Sequence, residues 1–374
     1  MQSDISRVWA GARPLIGTMV GVGMLGLPFA VLQVGVVVGA VEMILAALLS
    51  YLVLRLYGDL VLMRGGKARF IHVIGRELGH VGTGIASFAY IASIFGALLA
   101  YLIFGGQFLR VLLFSVVPMT ITQSTMFFFL LAAFLTIGGS LFVAKVQKAL
   151  LPLGFALLCV LMIVAFSHMT IDRFTAISSG NIGLSFGMMF FAFFGIAGVP
   201  EARDALGRGS RRLPRAIMCA AASVACVYAV FAFGMVATMG ALTTENALLG
   251  LSTIGSGAVF VGSSIAFLVT TSAFMNLSTA LTNTFLYDVR MRFLPAWLLT
   301  MSIPLFFFFF GARHISTVLS ITGGVFSALT AIMVLIAYER ARVSADLPKH
   351  SMRVSQWVVG LAFVVLVGMM IGSV

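Results

Sequence analysis

Eleven long apolar runs, separated by short polar segments, dominate the sequence. A helix that crosses a bilayer needs about 20 mostly apolar residues, so runs of this length can each span a membrane. The runs lie near 14–33, 36–57, 85–109, 125–144, 149–167, 182–206, 214–238, 255–286, 295–311, 315–338 and 354–373. Lipid is therefore the expected solvent for most of the chain, which predicts an all-α polytopic membrane protein.

Composition excludes several other classes of protein. Of the 374 residues, 61% are hydrophobic and 9% are charged, whereas an ordinary soluble domain is roughly 45–50% apolar and about 25% charged. This balance excludes a soluble enzyme, a disordered tail and a secreted disulfide scaffold. The net charge of +12 comes from short basic clusters between the apolar runs. Such clusters favour contact with anionic lipid headgroups rather than with nucleic acid.

The basic residues also predict the orientation. With eleven spans and a cytoplasmic N-terminus, twenty of the 23 lysines and arginines fall in segments that face inward. Cytoplasmic loops of membrane proteins carry such an excess of positive charge. The expected location is a bacterial inner membrane, with the C-terminus outside.

Two apolar runs contain glycines followed by a proline, a pattern that disfavours a continuous helix. Span one contains the stretch 17–28, with four glycines and Pro28, and span six contains 193–200, which ends in Pro200. Close helix packing is the alternative explanation for such glycines. Because the two breaks lie in the first helix of successive five-helix blocks, they favour two inverted repeats, over 1–170 and 171–343, followed by an eleventh helix in 344–374.

The two breaks resemble a known group of transporters. The stretch 17–28 resembles the first-helix signature of the amino acid/auxin permeases and the hydroxy/aromatic amino acid permeases of the amino acid–polyamine–organocation superfamily. The stretch 190–195 with Pro200 and Glu201 is similar to their sixth helix, and Thr271 with Ser272 to a pair in the aromatic permeases. The resemblance implies a LeuT-type 5+5 inverted repeat with discontinuous helices 1 and 6, which carries amino acids by alternating access.

The same resemblance implies where substrate and coupling ion would bind. The amides of Val22 and Gly23 would hold the substrate carboxylate, and carbonyls near Gly195 would receive its amino group. The full expected substrate site is Val20, Gly21, Val22, Gly23, Met24, Phe95, Phe193, Phe194, Gly195 and Ile196. Carbonyls of Gly17 and Val20, with the hydroxyls of Thr271 and Ser272, would outline the cation site of sodium-coupled relatives. The threonine hydroxyl has an alternative role, a bond back to the preceding helical turn.

Two acidic residues are further candidates for ion coupling. Glu42 lies inside span two, where a carboxylate is costly and is a functional candidate by default. It is either a proton carrier or a neutral structural group. Glu201 follows the second break and would relay protons or form an inner salt bridge with Arg203. The histidines lie in loops or at helix ends, so no metal site is expected, and no cofactor other than H⁺ or Na⁺.

These features together predict a secondary active transporter of neutral amino acids, including aromatic or branched ones, coupled to H⁺ or Na⁺. The expected partners are a small amino acid and the lipid bilayer. The alternative is an amino acid receptor on the same fold that binds without transport. An intramembrane enzyme is disfavoured, because no histidine or aspartate lies at membrane depth to serve a reaction.

Overall fold

A computed structural model describes residues 4–64, 69–113, 117–139, 166–170, 180–207, 211–243, 245, 255–344, 351–352 and 354–373, with scattered positions between 142 and 163. Within these residues all regular structure is helical. The helices are α1 (Asp4–Met19), α2 (Gly23–Val34), α3 (Val36–Arg64), α4 (Phe70–Leu113), α5 (Ile121–Ile137), α6 (Ile182–Phe193), α7 (Gly198–Leu206), α8 (Leu213–Met239), α9 (Ser256–Tyr287), α10 (Phe293–Phe309), α11 (Ile315–Ile321), α12 (Ala328–Val343) and α13 (Gln356–Gly372). A π-helical segment, Thr322–Ser327, joins α11 to α12.

Several helices extend beyond the apolar runs that predicted them. The chain is already helical at Asp4, and α4 begins at Phe70 rather than near 85, with a kink at Gly79, where φ is +68°. The added turns contain charged residues, because a helix continues past the hydrocarbon boundary wherever its polar side can meet water or headgroups. The predicted span 149–167 falls largely outside the described residues.

Length and hydropathy support a membrane protein. In the described part of the chain, six helical stretches are long and apolar enough to cross a bilayer, if α6 with α7 and α11 with α12 each count as one stretch. The number is seven if α1 and α2 count as one bent span. Ile121–Ile137, Phe293–Phe309 and Gln356–Gly372 are shorter apolar helices. Large apolar side chains point outward, as with Phe134, which is 71% exposed, and lipid is the solvent that such side chains fit. The total of eleven spans stays a prediction.

The helices pack in two groups. In the first, α1 contacts α7 and α8, α2 contacts α6 and α8, and α3 contacts α6 and α8. In the second, α4 is the centre and contacts α5, α9, α10 and α12. The ends at which α1 meets α2 and α6 meets α7 lie where these groups adjoin, so both interrupted segments face the interior of the molecule.

Candidate substrate site

The first interrupted segment is a sharp bend between α1 and α2. The two helices meet at 61°. The helical bond pattern of α1 ends where the Val20 N–H donates to the Ile16 carbonyl at 2.7 Å, and α2 begins with a tight turn in which the Met24 N–H donates to the Gly21 carbonyl at 3.2 Å. Gly21 and Val22 therefore lie between the helices, at the position that the glycine pattern indicated.

The second interrupted segment has the same kind of turn. The backbone of Phe194 is extended, with ψ of 90°, at the end of α6. Before α7, the Gly198 N–H donates to the Gly195 carbonyl at 3.0 Å and the Val199 N–H to the Ile196 carbonyl at 3.2 Å. Both segments thus restart their helices through i to i+3 bonds, although their sequences differ.

Glycine allows the two segments to touch. A Cβ atom on Gly23 would lie 2.7 Å from the Cα of Ala192, which is backbone of α6. A Cβ on Gly195 would lie 2.6 Å from Cγ of Met19 at the end of α1. These distances are shorter than side chains tolerate, so the close approach of the two segments requires residues without a side chain.

A narrow cavity of about 30 Å³ lies between the two segments. A water molecule needs about 10–15 Å³, so the cavity has room for about two waters. The residues that line it come from both segments and from α4, α9 and the π-helical segment: Thr18, Met19, Gly23, Ser93, Ile94, Ala97, Tyr101, Phe191, Ala192, Phe194, Ile196, Ala197, Leu277 and Ser327. No Asp, Glu, Lys, Arg or His is among these lining residues, so the cavity is electrically neutral apart from peptide dipoles.

The predicted substrate residues divide between the lining and its surroundings. Gly23, Phe194 and Ile196 line the cavity. The other predicted residues of the two segments, which belong to the same stretches of chain but are not part of the lining, are Val20, Gly21, Val22, Met24, Phe193 and Gly195. Phe95 is half-buried and is not among the residues that line this cavity, where Ser93, Ile94, Ala97 and Tyr101 form the lining face of α4. Its role in binding substrate stays a prediction.

Side chains from two other helices bind carbonyl groups that the interruptions release. The Tyr228 hydroxyl of α8 donates to the Met19 carbonyl at 2.6 Å and lies 3.3 Å from the Ala192 carbonyl. Ser50 of α3 donates to the Phe193 carbonyl at 2.6 Å. In a lipid environment such backbone groups need partners inside the protein. Sequence reasoning missed Tyr228, and the available signal was a tyrosine hydroxyl inside an apolar run, which must find a partner when buried.

The predicted cation site contains bonds within the protein. The Asn276 side-chain amide of α9 donates to the Gly17 carbonyl at 3.1 Å. The Thr271 hydroxyl donates to the Phe267 carbonyl one turn earlier at 2.6 Å, which is the alternative role stated above. Ser272 is buried next to it, 4% exposed. The Gly17 carbonyl and the Thr271 hydroxyl, two of the four groups predicted to outline the cation site, therefore form hydrogen bonds with protein partners.

Glu42 lies apart from these residues, between α3 and the first half of α6. It is 5% exposed, and its Oε2 accepts a hydrogen bond from the Ser185 hydroxyl at 2.7 Å. Its Oε1 has no hydrogen-bond partner among the described residues. Ser185 precedes the cavity residue Phe191 by six positions, which is about 9 Å along a helix. Glu42 is thus near the cavity without lining it.

Glu201 belongs to a charged cluster, the Arg69 network, formed by Arg69, Glu201, Asp204 and Asp288. The guanidinium of Arg69 lies 3.0 Å from Asp204 Oδ2 and 3.4 Å from Glu201 Oε1. The ion pair of Glu201 is with Arg69 rather than with Arg203, the partner that the sequence suggested, and Arg203 pairs with the adjacent Asp204 at 2.8 Å. The reason is geometric, since Arg69 approaches α7 from a segment 132 positions earlier in the chain, a contact that no local pattern indicates.

Asp288 joins the end of α9 to the start of α4. Its carboxylate accepts backbone N–H bonds from Arg69, Ile71 and His72 at 3.2, 2.9 and 3.3 Å. Burial raises the pKa of Asp288, and these N–H groups act in the opposite direction. Burial also opposes the charge of Arg69, but Glu201 and Asp204 outweigh it and raise the pKa of Arg69. The network therefore holds α4, α7 and α9 together at one end of the molecule.

Sequence comparison connects this architecture with a family. Residues 5–278 match the family described as "Transmembrane amino acid transporter protein". The chain belongs to this family. It is accordingly a membrane transporter rather than an enzyme, as the absence of reactive residues at membrane depth predicted. The matched region contains both interrupted segments and every helix from α1 to α8.

Structural comparison gives the fold independently. The crystal structure of MhsT in complex with L-phenylalanine is similar, with a TM-score of 0.71 over 98% of each chain and 14% sequence identity. The transporter therefore has a LeuT-type fold, as the resemblance implied. A comparison with curated protein sequences found no match. The finer grouping with the auxin or aromatic permeases stays a prediction.

Proposed function

We propose that this transporter carries neutral amino acids by alternating access, with the substrate bound between the two interrupted segments. The observation that supports the proposal is the cavity there, whose lining has aromatic, aliphatic and hydroxyl side chains and no charged one. A charged substrate side chain would have no partner in such a lining, and burying it unpaired would be costly. A neutral side chain fits, with Tyr101, Phe191 and Phe194 as its contacts.

Peptide dipoles would bind the charged ends of the amino acid. The amides of Val22 and Gly23 lie at the N-terminus of α2, where the positive end of the helix dipole stabilises a carboxylate. Carbonyls at the ends of α1 and α6 carry the opposite partial charge and suit an amino group. The first segment contains no aspartate, so the carboxylate must come from the substrate, which favours a zwitterion.

Access to the two sides of the membrane would alternate as the two helix groups rock against each other. The group of α1, α2, α3, α6, α7 and α8 would move relative to the group centred on α4. The cavity is smaller than an amino acid, so the substrate enters only after these groups separate. The similar turns that restart α2 and α7 support the inverted-repeat organisation, with one interrupted helix from each half.

We propose the proton as the coupling ion, with Glu42 as its carrier. The carboxyl group is buried on α3, and its single hydrogen-bond donor among the described residues is Ser185 of α6, the helix that leads to the cavity. Protonation removes the cost of a buried charge. If one conformation binds the proton more tightly than the other, protonation shifts the equilibrium toward that conformation by the difference in proton affinity.

Uptake into proteoliposomes tests the function. The purified transporter is screened with the twenty radiolabelled amino acids under a proton gradient and, separately, a sodium gradient. We expect accumulation of neutral amino acids with the proton gradient alone. Accumulation driven only by sodium would overturn proton coupling. Saturable binding without counterflow exchange would overturn transport itself and favour the receptor alternative.

Replacement of Glu42 by glutamine is expected to abolish accumulation driven by the proton gradient and to leave counterflow exchange intact. Glutamine has the shape of the protonated acid and can still accept the Ser185 hydrogen bond, but it cannot release a proton. The matched control is Glu245→Gln. Glu245 lies outside the helices that are long enough to cross the membrane, and its Oε1 also accepts a serine hydroxyl bond, from Ser316 at 2.8 Å. Wild-type accumulation by the Glu42 variant would remove this residue from the coupling mechanism.

A further inference from the structure

Tyr228 connects the two interrupted segments with one hydroxyl group. The side chain is fully buried on α8, and its ring packs on Phe193 with the ring centres 5.1 Å apart. The hydroxyl donates to the Met19 carbonyl at 2.6 Å and lies 3.3 Å from the Ala192 carbonyl. Met19 and Ala192 both line the cavity. The end of α1 and the end of α6 therefore meet at a single side chain beside the candidate substrate site.

The Tyr228 hydroxyl and the two carbonyls together offer more hydrogen-bond acceptors than donors. A tyrosine hydroxyl has one hydrogen to donate, and its oxygen can accept hydrogen bonds as well. The hydrogen goes to Met19, the nearer carbonyl, and the backbone N–H of Gly21 interacts with the hydroxyl oxygen. The Ala192 carbonyl and one lone pair of the hydroxyl oxygen therefore keep acceptor capacity. Both carbonyls stand at helix C-termini, where the partial charge is negative. A group with several N–H donors and a positive charge would complement this arrangement.

Neighbouring side chains that bind released carbonyls differ from Tyr228. Ser50 binds the carbonyl of Phe193, and Asn276 binds that of Gly17. Neither Phe193 nor Gly17 is among the residues that line the cavity. These two bonds satisfy carbonyls of residues that do not line the cavity, whereas the hydroxyl of Tyr228 contacts the carbonyls of two residues that do.

We propose that Tyr228 is a positioning residue for the amino group of the substrate. By holding the Met19 carbonyl and adding its own oxygen beside the Ala192 carbonyl, it makes a set of acceptors for an ammonium group. The inference rests on the proposed amino acid transport and adds the residue that recognises the amino end. Its consequence is selectivity for ligands that carry an amino group over carboxylic acids that lack one.

The test is the Tyr228→Phe variant with a pair of matched ligands. The probes are the amino acid best transported in the screen and the same acid without its amino group, such as L-phenylalanine and 3-phenylpropionate. Affinities are measured by competition against the radiolabelled amino acid. A site built to bind an N–H group rejects analogues without it, so the wild type should strongly prefer the amino acid. We expect the preference of the variant to be about tenfold or more smaller, because a hydrogen bond to a charged group contributes about that much to binding.

The comparison separates a positioning role from a structural one. General damage to the site would weaken both ligands equally and leave the preference unchanged, which would overturn the inference alone. Because the ring that packs on Phe193 is kept, the variant should fold, and its thermal unfolding in detergent verifies this. The control is Tyr338→Phe, which also removes a hydroxyl bond to a backbone carbonyl, that of Met352. Tyr338 is eleven positions beyond the lining residue Ser327, which is about 16 Å along a helix. Absence of amino acid binding by the wild type would instead overturn the proposed function.

Discussion

Replacement of Gly23 by alanine is expected to lower amino acid uptake at least about tenfold and to destabilise the transporter by about 1–3 kcal/mol, the usual cost of overpacking. The added Cβ would lie 2.7 Å from the Cα and 3.0 Å from the Cβ of Ala192. The nearer atom belongs to the backbone of α6, so no side-chain rotation relieves the overlap. The two interrupted segments must separate, and the cavity between them loses its shape. Uptake in proteoliposomes and thermal unfolding in detergent measure the two effects.

The control for this variant is Gly84→Ala in α4. Gly84 is exposed, and a Cβ there would have no neighbour within 4 Å. Alanine is also the better helix former by about 1 kcal/mol, so this variant should keep its uptake and be at least as stable. Wild-type uptake by Gly23→Ala would show that the contact between the segments is dispensable, and the site proposed here would then be wrong.

Replacement of Arg69 by glutamine should reduce gradient-driven accumulation by about tenfold or more and should affect exchange less. The guanidinium joins Glu201 and Asp204 of α7 to the start of α4. Removing one member of a fully buried ion pair costs about 3–5 kcal/mol. Here the carboxylate side chains left behind are 36% and 40% exposed, so we expect about 2 kcal/mol, because water compensates part of the loss. Suppose that the loss destabilises only the conformation in which the Arg69 network holds α4, α7 and α9 together. The equilibrium between conformations then shifts roughly thirtyfold toward the one that is open at this end.

Arg215→Gln is the matched control for the Arg69 network. Arg215 also pairs with an aspartate, Asp4, at 3.3 Å, but the side chains are 68% and 54% exposed. Exposed pairs contribute about 0–1 kcal/mol, so accumulation should stay close to the wild-type level. If Arg69→Gln accumulates amino acid as well as Arg215→Gln does, the network does not control closure. Counterflow exchange, measured on the same vesicles, distinguishes a loss of gating from a loss of binding.

The sequence was most informative where a physical constraint acts on neighbouring residues. The glycines before Pro28 and Pro200 mark the places where α1 gives way to α2 and α6 to α7, because these residue types weaken a helix regardless of its surroundings. Apolar runs located the helices for a similar reason, since the hydrocarbon core demands them residue by residue. They located the ends less well, because turns in the headgroup region need no apolar side chain.

Residues that act across the fold were harder to predict. Phe95 and Ser93 are two positions apart on α4, and only the rotation of that helix decides which one faces the cavity. Arg203 was the obvious partner for Glu201 in the sequence, but Arg69 approaches from another part of the chain. Tyr228 is one tyrosine within an apolar helix, and its position beside two helix ends depends on how α8 packs against α1 and α6.

The sequence by itself determined that the chain resides in lipid, that it is helical, and that two of its apolar runs contain residues that disfavour an unbroken helix. Each of these follows from local chemistry, namely the cost of exposing or burying particular side chains and backbone groups. Only the tertiary structure decided which groups share the cavity and which carbonyls receive a donor. Hydrogen bonds and close contacts depend on distances of a few ångströms between residues far apart in the chain, and helix packing alone sets those distances.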